Sequence, residues 1–172
     1  MKDIMESNPD SSPVSVPLKE VFYLKWPSKL NHEDTKAQRN TKSMYTKLSE
    51  LEEYLAKQIV DIAIKIHKEL GPGLLESVYA KCFYYELFNR KINYEKQKDV
   101  PIIYQSLIID EGLRLDLLVE DLVIVEFKAQ ENYHPVWEAQ LLSYLKLTSK
   151  RLGFLINFHV PLMKDGIKRL IL

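Results

Sequence analysis

The chain reads as an α/β domain built around a central mixed β-sheet, and three observations in its 172 residues point there. A run from Leu51 to Leu70 repeats apolar residues at helical spacing and is closed by Gly71-Pro72. The stretch from Ile92 to Lys128 is dense in strand-forming residues. A further helical pattern then separates this strand region from another apolar strand, "LGFLINF". Helices alternating with strands in this way bury a sheet between helical layers.

The elements follow in order. In the first helix Leu51, Leu55, Ile59, Ile62, Ile66 and Leu70 recur on one face, and Gly71 supplies the stop. A second helix is expected from about Leu74 to Asn89, with Leu75, Val78, Tyr79, Cys82, Phe83 and Leu87 as its apolar stripe. "INYEKQ" and "DVPIIYQSLIID" read as strands, with Glu111-Gly112 as the turn after them. "LRLDLLV" and "LVIVEFK" come next, separated by Glu120-Asp121. A helix from His134 to about Thr148 places Pro135 in its first turn, where a missing N–H is harmless. After "LGFLINF", Asp165-Gly166 marks a turn before a last short strand, "IKRLIL". Residues 1–46 differ in kind. "SNPDSSPVSVP" and "NHEDTKAQRNTKS" carry no usable period, and only "VFYLKW" is apolar. The expected organisation is an N-terminal extension, partly flexible, ahead of one domain at 47–172.

Composition narrows the function classes. Lysine plus arginine (24) equals aspartate plus glutamate (24), which argues against a passive electrostatic DNA binder while leaving room for a small basic groove. One cysteine, Cys82, cannot form an internal disulfide, and neither it nor the histidines show zinc-ligand spacing. No apolar run has the length of a signal core or a membrane span. A reduced, cytoplasmic protein without membrane contact is the expectation.

Chemistry concentrates on two adjacent strands. Asp116 stands among Leu113, Leu115, Leu117 and Leu118. Glu126 and Lys128 are two residues apart on the next strand, hence on one face. An acid embedded in an apolar strand needs a partner, because burying an unpaired carboxylate costs several kcal/mol. A hard divalent cation, Mg²⁺ or Mn²⁺, held by Asp116 and Glu126 would supply one, with water and a substrate phosphate completing its shell. Lys128 would then orient water or stabilise transition-state charge, the arrangement that phosphodiester hydrolysis requires. Geometry sets a condition on this. If Glu120-Asp121 were a two-residue hairpin loop, Asp116 and Glu126 would fall on opposite faces. The site therefore requires a three-residue connection or a β-bulge.

"GLLESVY" carries a Gly-x-x-Glu-x-x-Tyr pattern at Gly73, Glu76 and Tyr79, and with "DLLVEDLVIVEFKA", "AQLLSYL" and "LGFLINF" it resembles the GxxExxY proteins over roughly residues 51–172. That family is similar to the PD-(D/E)xK nucleases. The resemblance implies a restriction-endonuclease-like core of α-β-β-β-α-β order, a Mg²⁺- or Mn²⁺-dependent activity and a nucleic-acid partner. It assigns the catalytic acids to Asp116 and Glu126, the lysine to Lys128 and a helical glutamate to Glu76, so that Glu76, Asp116 and Glu126 form a three-carboxylate metal site. Gln140 and Tyr144, one helical turn apart, resemble the Gln-x-x-x-Tyr element of the exonuclease branch and imply substrate binding, as does Tyr79 beside Glu76.

Each residue also has a plainer account. Glu76 sits in a first helical turn, where carboxylates are routine. Glu-x-Lys on a strand is commonly an ion pair, and Gln140 and Tyr144 fit the polar rim of a packed helix. His32, His67, His134 and His159 read as structural or exposed, and Lys168-Arg169 as a solvated pair. A non-catalytic nucleic-acid or protein-binding module on the same fold is the main alternative to a nuclease. A homodimer exchanging the "VFYLKW" arm is a third.

Overall fold

The computed structural model describes residues 47–172. The N-terminal extension, with its "VFYLKW" segment and His32, lies outside the described residues. Helix α1 (Glu50–Leu70) begins with a reciprocal capping box: Glu52 N–H donates to Ser49 Oγ at 3.2 Å, and Ser49 N–H to Glu52 Oε2 at 2.7 Å. It ends at Gly71, whose φ of 67° few other residues adopt and whose N–H donates to the His67 carbonyl. The predicted stripe is buried from Leu55 to Ile66, whereas Leu51 and Leu70 at its ends are exposed.

Helix α2 (Glu76–Asn89) departs further from expectation. Its core face is Tyr79, Phe83 and Leu87, with Glu86 beside them held by Lys65 at 2.8 Å. Leu75 and Val78 are exposed and Cys82 is half-buried. Helical periodicity admitted a wide stripe, and the groove against α1 accepts only its central part.

Strand β1 (Tyr94–Tyr104) and strand β2 (Leu107–Val119) form a long antiparallel hairpin. The expected split into two strands and the turn at Glu111-Gly112 are both corrected. Chain reversal occurs at Gln105-Ser106, with Gln105 at φ 55°, and Gly112 lies inside β2. Gly112 instead answers a close approach. The β1–β2 register shifts between Val100 and Ile102, and a Cβ on Gly112 would stand 2.4 Å from Ile102 Cδ1.

Strand β3 (Val123–Lys128) pairs antiparallel with β2 and parallel with β4 (Leu152–Asn157). The crossover between β3 and β4 is helix α3 (Val136–Thr148), entered through Pro135. A single helical turn, α4 (Met163–Gly166), replaces the expected Asp165-Gly166 turn and leads into β5 (Ile167–Ile171), antiparallel to β4. The sheet has five strands in the order β1-β2-β3-β4-β5. On one face α1 and α2 pack on Leu117, Val119, Val125, Phe127, Phe154 and Ile156. On the other face α3 packs through Leu141, Tyr144 and Leu145 on Leu115, Leu118, Ile124 and Leu155.

Candidate active site at the fork of two strands

Strands β2 and β3 pair over only three positions, Val119–Val123, Leu118–Ile124 and Leu117–Val125, before they diverge. Val119 opposite Val123 leaves Glu120, Asp121 and Leu122 as a three-residue connection, with Glu120 and Asp121 at φ 49° and 52°. The geometric condition set by the sequence is met. One position further along the same register, Asp116 comes opposite Glu126.

Two carboxylates occupy the fork in place of ladder hydrogen bonds. Phe127 N–H donates to Asp116 Oδ2 at 3.0 Å, and Asp116 N–H donates to Glu126 Oε1 at 3.4 Å. Each acid thus serves a backbone donor that the broken ladder would otherwise leave unpaired. The alternation of β2 slips here. Leu115 and Leu118 both pack on the α3 side, while Leu117 and Val119 pack on the α1/α2 side. On the neighbouring strand Gln97 has φ 49° between the Lys98–Leu115 and Lys96–Leu117 pairs. Asp116 therefore escapes the apolar layer its neighbours would impose, and is half-buried.

Glu126 is 3% exposed, and Lys128 Nζ lies 3.6 Å from its Oε2. Burial first, and then the charge of Asp116, push the Glu126 carboxyl up to about 8 against the pull of Lys128. Glu76, in the first turn of α2, faces the same fork. Burial raises its pKa, Lys128 opposes the rise, and Asp116 adds to it. From the other side of the sheet, Gln140 Nε2 donates to the Tyr144 hydroxyl. Burial raises the Tyr144 pKa, and the charges of Glu126 and Asp116 raise it further.

The sequence-predicted residues thus divide. Asp116, Glu126 and Lys128 are brought together, Glu76 and Tyr144 lie within electrostatic reach, and Gln140 is attached through Tyr144. Tyr79 is not part of this group. It is fully buried, stacks on Phe158 with ring centroids 4.3 Å apart, donates to the Gly71 carbonyl at 2.7 Å and accepts from Leu74 N–H at 3.1 Å. Its hydroxyl closes the Gly-Pro-Gly turn instead of touching Glu76, because α2 is seated with the Tyr79 ring stacked on Phe158.

The expected three-carboxylate cluster is also absent in that form. Among the described residues, no three His, Cys, Asp or Glu side chains are gathered as a metal-ligand group. Asp116 and Glu126 remain a donor pair suited to a hard cation, since both offer carboxylate oxygens. Two residues beside these groups escaped prediction, one against Asp116 and one opposite Lys128. Tyr84, two helical turns beyond Glu76, donates to the Asp116 carbonyl at 3.3 Å. Asn157 closes β4 and is 7% exposed. Their only sequence signals were the eight-residue spacing from Glu76 and one polar residue ending an apolar strand. His67 is structural, with Nε2 2.7 Å from the Val160 carbonyl oxygen. Lys168 and Arg169 are paired with Glu138 and Glu53.

The profile of the PD-(D/E)XK nuclease superfamily matches residues 53–170, and the helix-flanked mixed sheet is consistent with a restriction-endonuclease-like α/β fold. Two curated proteins named L-rhamnose mutarotase, from Enterobacter sp. (strain 638) and Formosa agariphila, are 75% and 71% identical to the chain over 24 residues. That stretch is 14% of this chain, and the chain spans 23% of the length of each of these relatives. No solved structure matches the chain. No helix among the described residues is long and apolar enough to cross a membrane.

Proposed function

Since the chain belongs to the PD-(D/E)XK nuclease superfamily, we propose that its domain is a divalent-metal-dependent nuclease that hydrolyses phosphodiester bonds of nucleic acid, DNA in preference to RNA. The observation that carries this reading is the meeting of Asp116 and Glu126 at the β2–β3 fork with Lys128 3.6 Å from Glu126. Asp116 and Glu126 would hold Mg²⁺ or Mn²⁺. When bound, the metal would neutralise phosphate charge and increase the acidity of water.

The chain's own groups account for the rest. Hydrolysis adds water across a P–O bond, so the attacking oxygen loses a proton and the departing alkoxide gains one. Lys128 would hold the attacking water or counter charge growing on the phosphate oxygens. Glu76, at the opposite wall of the fork, would receive a proton or orient water, burial having raised its pKa above the ordinary glutamate value. Tyr144, steadied by Gln140, would contact the phosphate backbone. Likeness to the GxxExxY proteins, carried by Gly73, Glu76 and Tyr79, is compatible with these roles.

A second reading, a nucleic-acid or protein-binding module without catalysis, draws on one observation: no three-ligand group is gathered among the described residues. End-labelled single-stranded, duplex and branched DNA, incubated with Mn²⁺ or Mg²⁺, separates the two. Metal-dependent cleavage that disappears in Asp116→Ala supports the nuclease. Equal inertness of both proteins, together with no Mn²⁺ binding by calorimetry, refutes it in favour of the module.

A further inference from the structure

Asn157 is a buried polar side chain, and two of its three bonds go to Gln130, just past the end of β3. Its Oδ1 accepts from Gln130 N–H at 3.1 Å and from His159 N–H at 3.2 Å, and its Nδ2 donates to the Gln130 carbonyl at 2.9 Å. The two bonds to Gln130 imitate a strand partner, and they lie two residues beyond the last ladder position, where Lys128 pairs with Asn157. On the other side of that position Phe158 N–H donates to the Lys128 carbonyl at 2.8 Å. The segment Lys128–Gln130 is therefore held at both ends, at Lys128 by Phe158 just past β4 and at Gln130 by Asn157, the last residue of β4. Strand pairing ends at Lys128, so Gln130 is tied to β4 through the Asn157 side chain.

We propose that Asn157 is a positioning residue that fixes the end of β3 so that the Lys128 ammonium faces Glu126. The importance of that orientation rests on the nuclease reading; the clamp itself does not. Lys128 is the part to watch because its side chain is only 17% exposed. An amine so enclosed acylates slowly, and it becomes reactive when the strand end that aims it loosens. A buried amide with three satisfied bonds is also costly to disrupt, so loosening should remain local.

The test is brief acetic anhydride labelling of the full chain, read lysine by lysine by mass spectrometry, with amide exchange in parallel. Asn157→Ala should raise Lys128 labelling about fivefold and Gln130 amide exchange about tenfold, while α1 amides keep wild-type rates. Lys65, already 49% exposed and paired with Glu86, should label as before. Asn157→Asp keeps the shape and the accepting oxygen but loses the Nδ2 donor, and should move Lys128 labelling about threefold. That isosteric variant decides the matter if the alanine variant does not fold. Gln130 exchange quickening while Lys128 labelling stays at wild type would overturn the proposal, leaving Asn157 a loop brace only. Neither readout involves metal or nucleic acid, so a failed cleavage assay would sink the nuclease reading without touching this one.

Discussion

Replacing Glu126 by glutamine should stabilise the metal-free protein, increasingly so as pH rises from about 4.5 to about 8. Glu126 is almost wholly buried, and its carboxyl rises from an ordinary 4.5 to about 8 through burial and the neighbouring Asp116. In that window the unfolded chain releases the proton and the folded chain retains it. Stability is therefore lost as pH rises from the unfolded value to the folded one, and the loss is complete above both. At about 1.4 kcal/mol for each tenfold in proton affinity, the change from 4.5 to about 8 corresponds to ~5 kcal/mol, of which ~3 kcal/mol is felt by pH 7. Glu126→Gln keeps the shape and cannot ionise, so it should match wild type near pH 4.5 and exceed it by about 2–3 kcal/mol at pH 7. The assay is urea unfolding in chelator at several pH values, followed by the same series with Mn²⁺. Added metal should stabilise wild type and leave the variant unchanged. A stability difference independent of pH between 4.5 and 8 would refute the reasoning, because it would mean that Glu126 ionises as readily folded as unfolded.

Tyr79→Phe removes the hydroxyl joining the Gly71 carbonyl and Leu74 N–H, and should cost about 1–3 kcal/mol in urea unfolding while amide exchange quickens at the start of α2. Wild-type stability would show that the Gly-Pro-Gly turn needs no such tie. Gly112→Ala places a Cβ 2.4 Å from Ile102 Cδ1 and should destabilise by about 1–3 kcal/mol. Ile102→Ala in that background should restore part of the loss, and strict additivity in a double-mutant cycle would count against the close contact.

Part of this architecture was legible in the chain itself. The register of α1 and its stop at Gly71 follow from a six-residue apolar stripe and the φ that glycine permits. Strands β3 and β4 follow from their predominantly apolar runs, because a strand covered on both faces is apolar at most of its positions. Asp116, Glu126 and Lys128 stood out as charges in that apolar setting, and the composition of the strands demanded an explanation for them. Local pattern is weaker where a choice depends on a distant partner. The turn at Gln105-Ser106 and the strand glycine at Gly112 exchange roles because Ile102 crowds Gly112 across the hairpin. Tyr79 faces the core instead of the fork because α2 is rotated against α1 and Phe158.

The site itself depended most on the tertiary structure. Side chains alternate along a strand, so adding one residue to the connection reverses which face Glu126 shares with Asp116. The sequence by itself supplied the acids, the lysine and the order of the elements. Only the folded register, with three residues between Val119 and Val123, decided that the acids meet, and only the parallel pairing of β3 with β4 brought Asn157 beneath the end of Lys128's strand. Both outcomes are set by contacts between residues far apart in the chain, whose energies no local pattern of residues encodes.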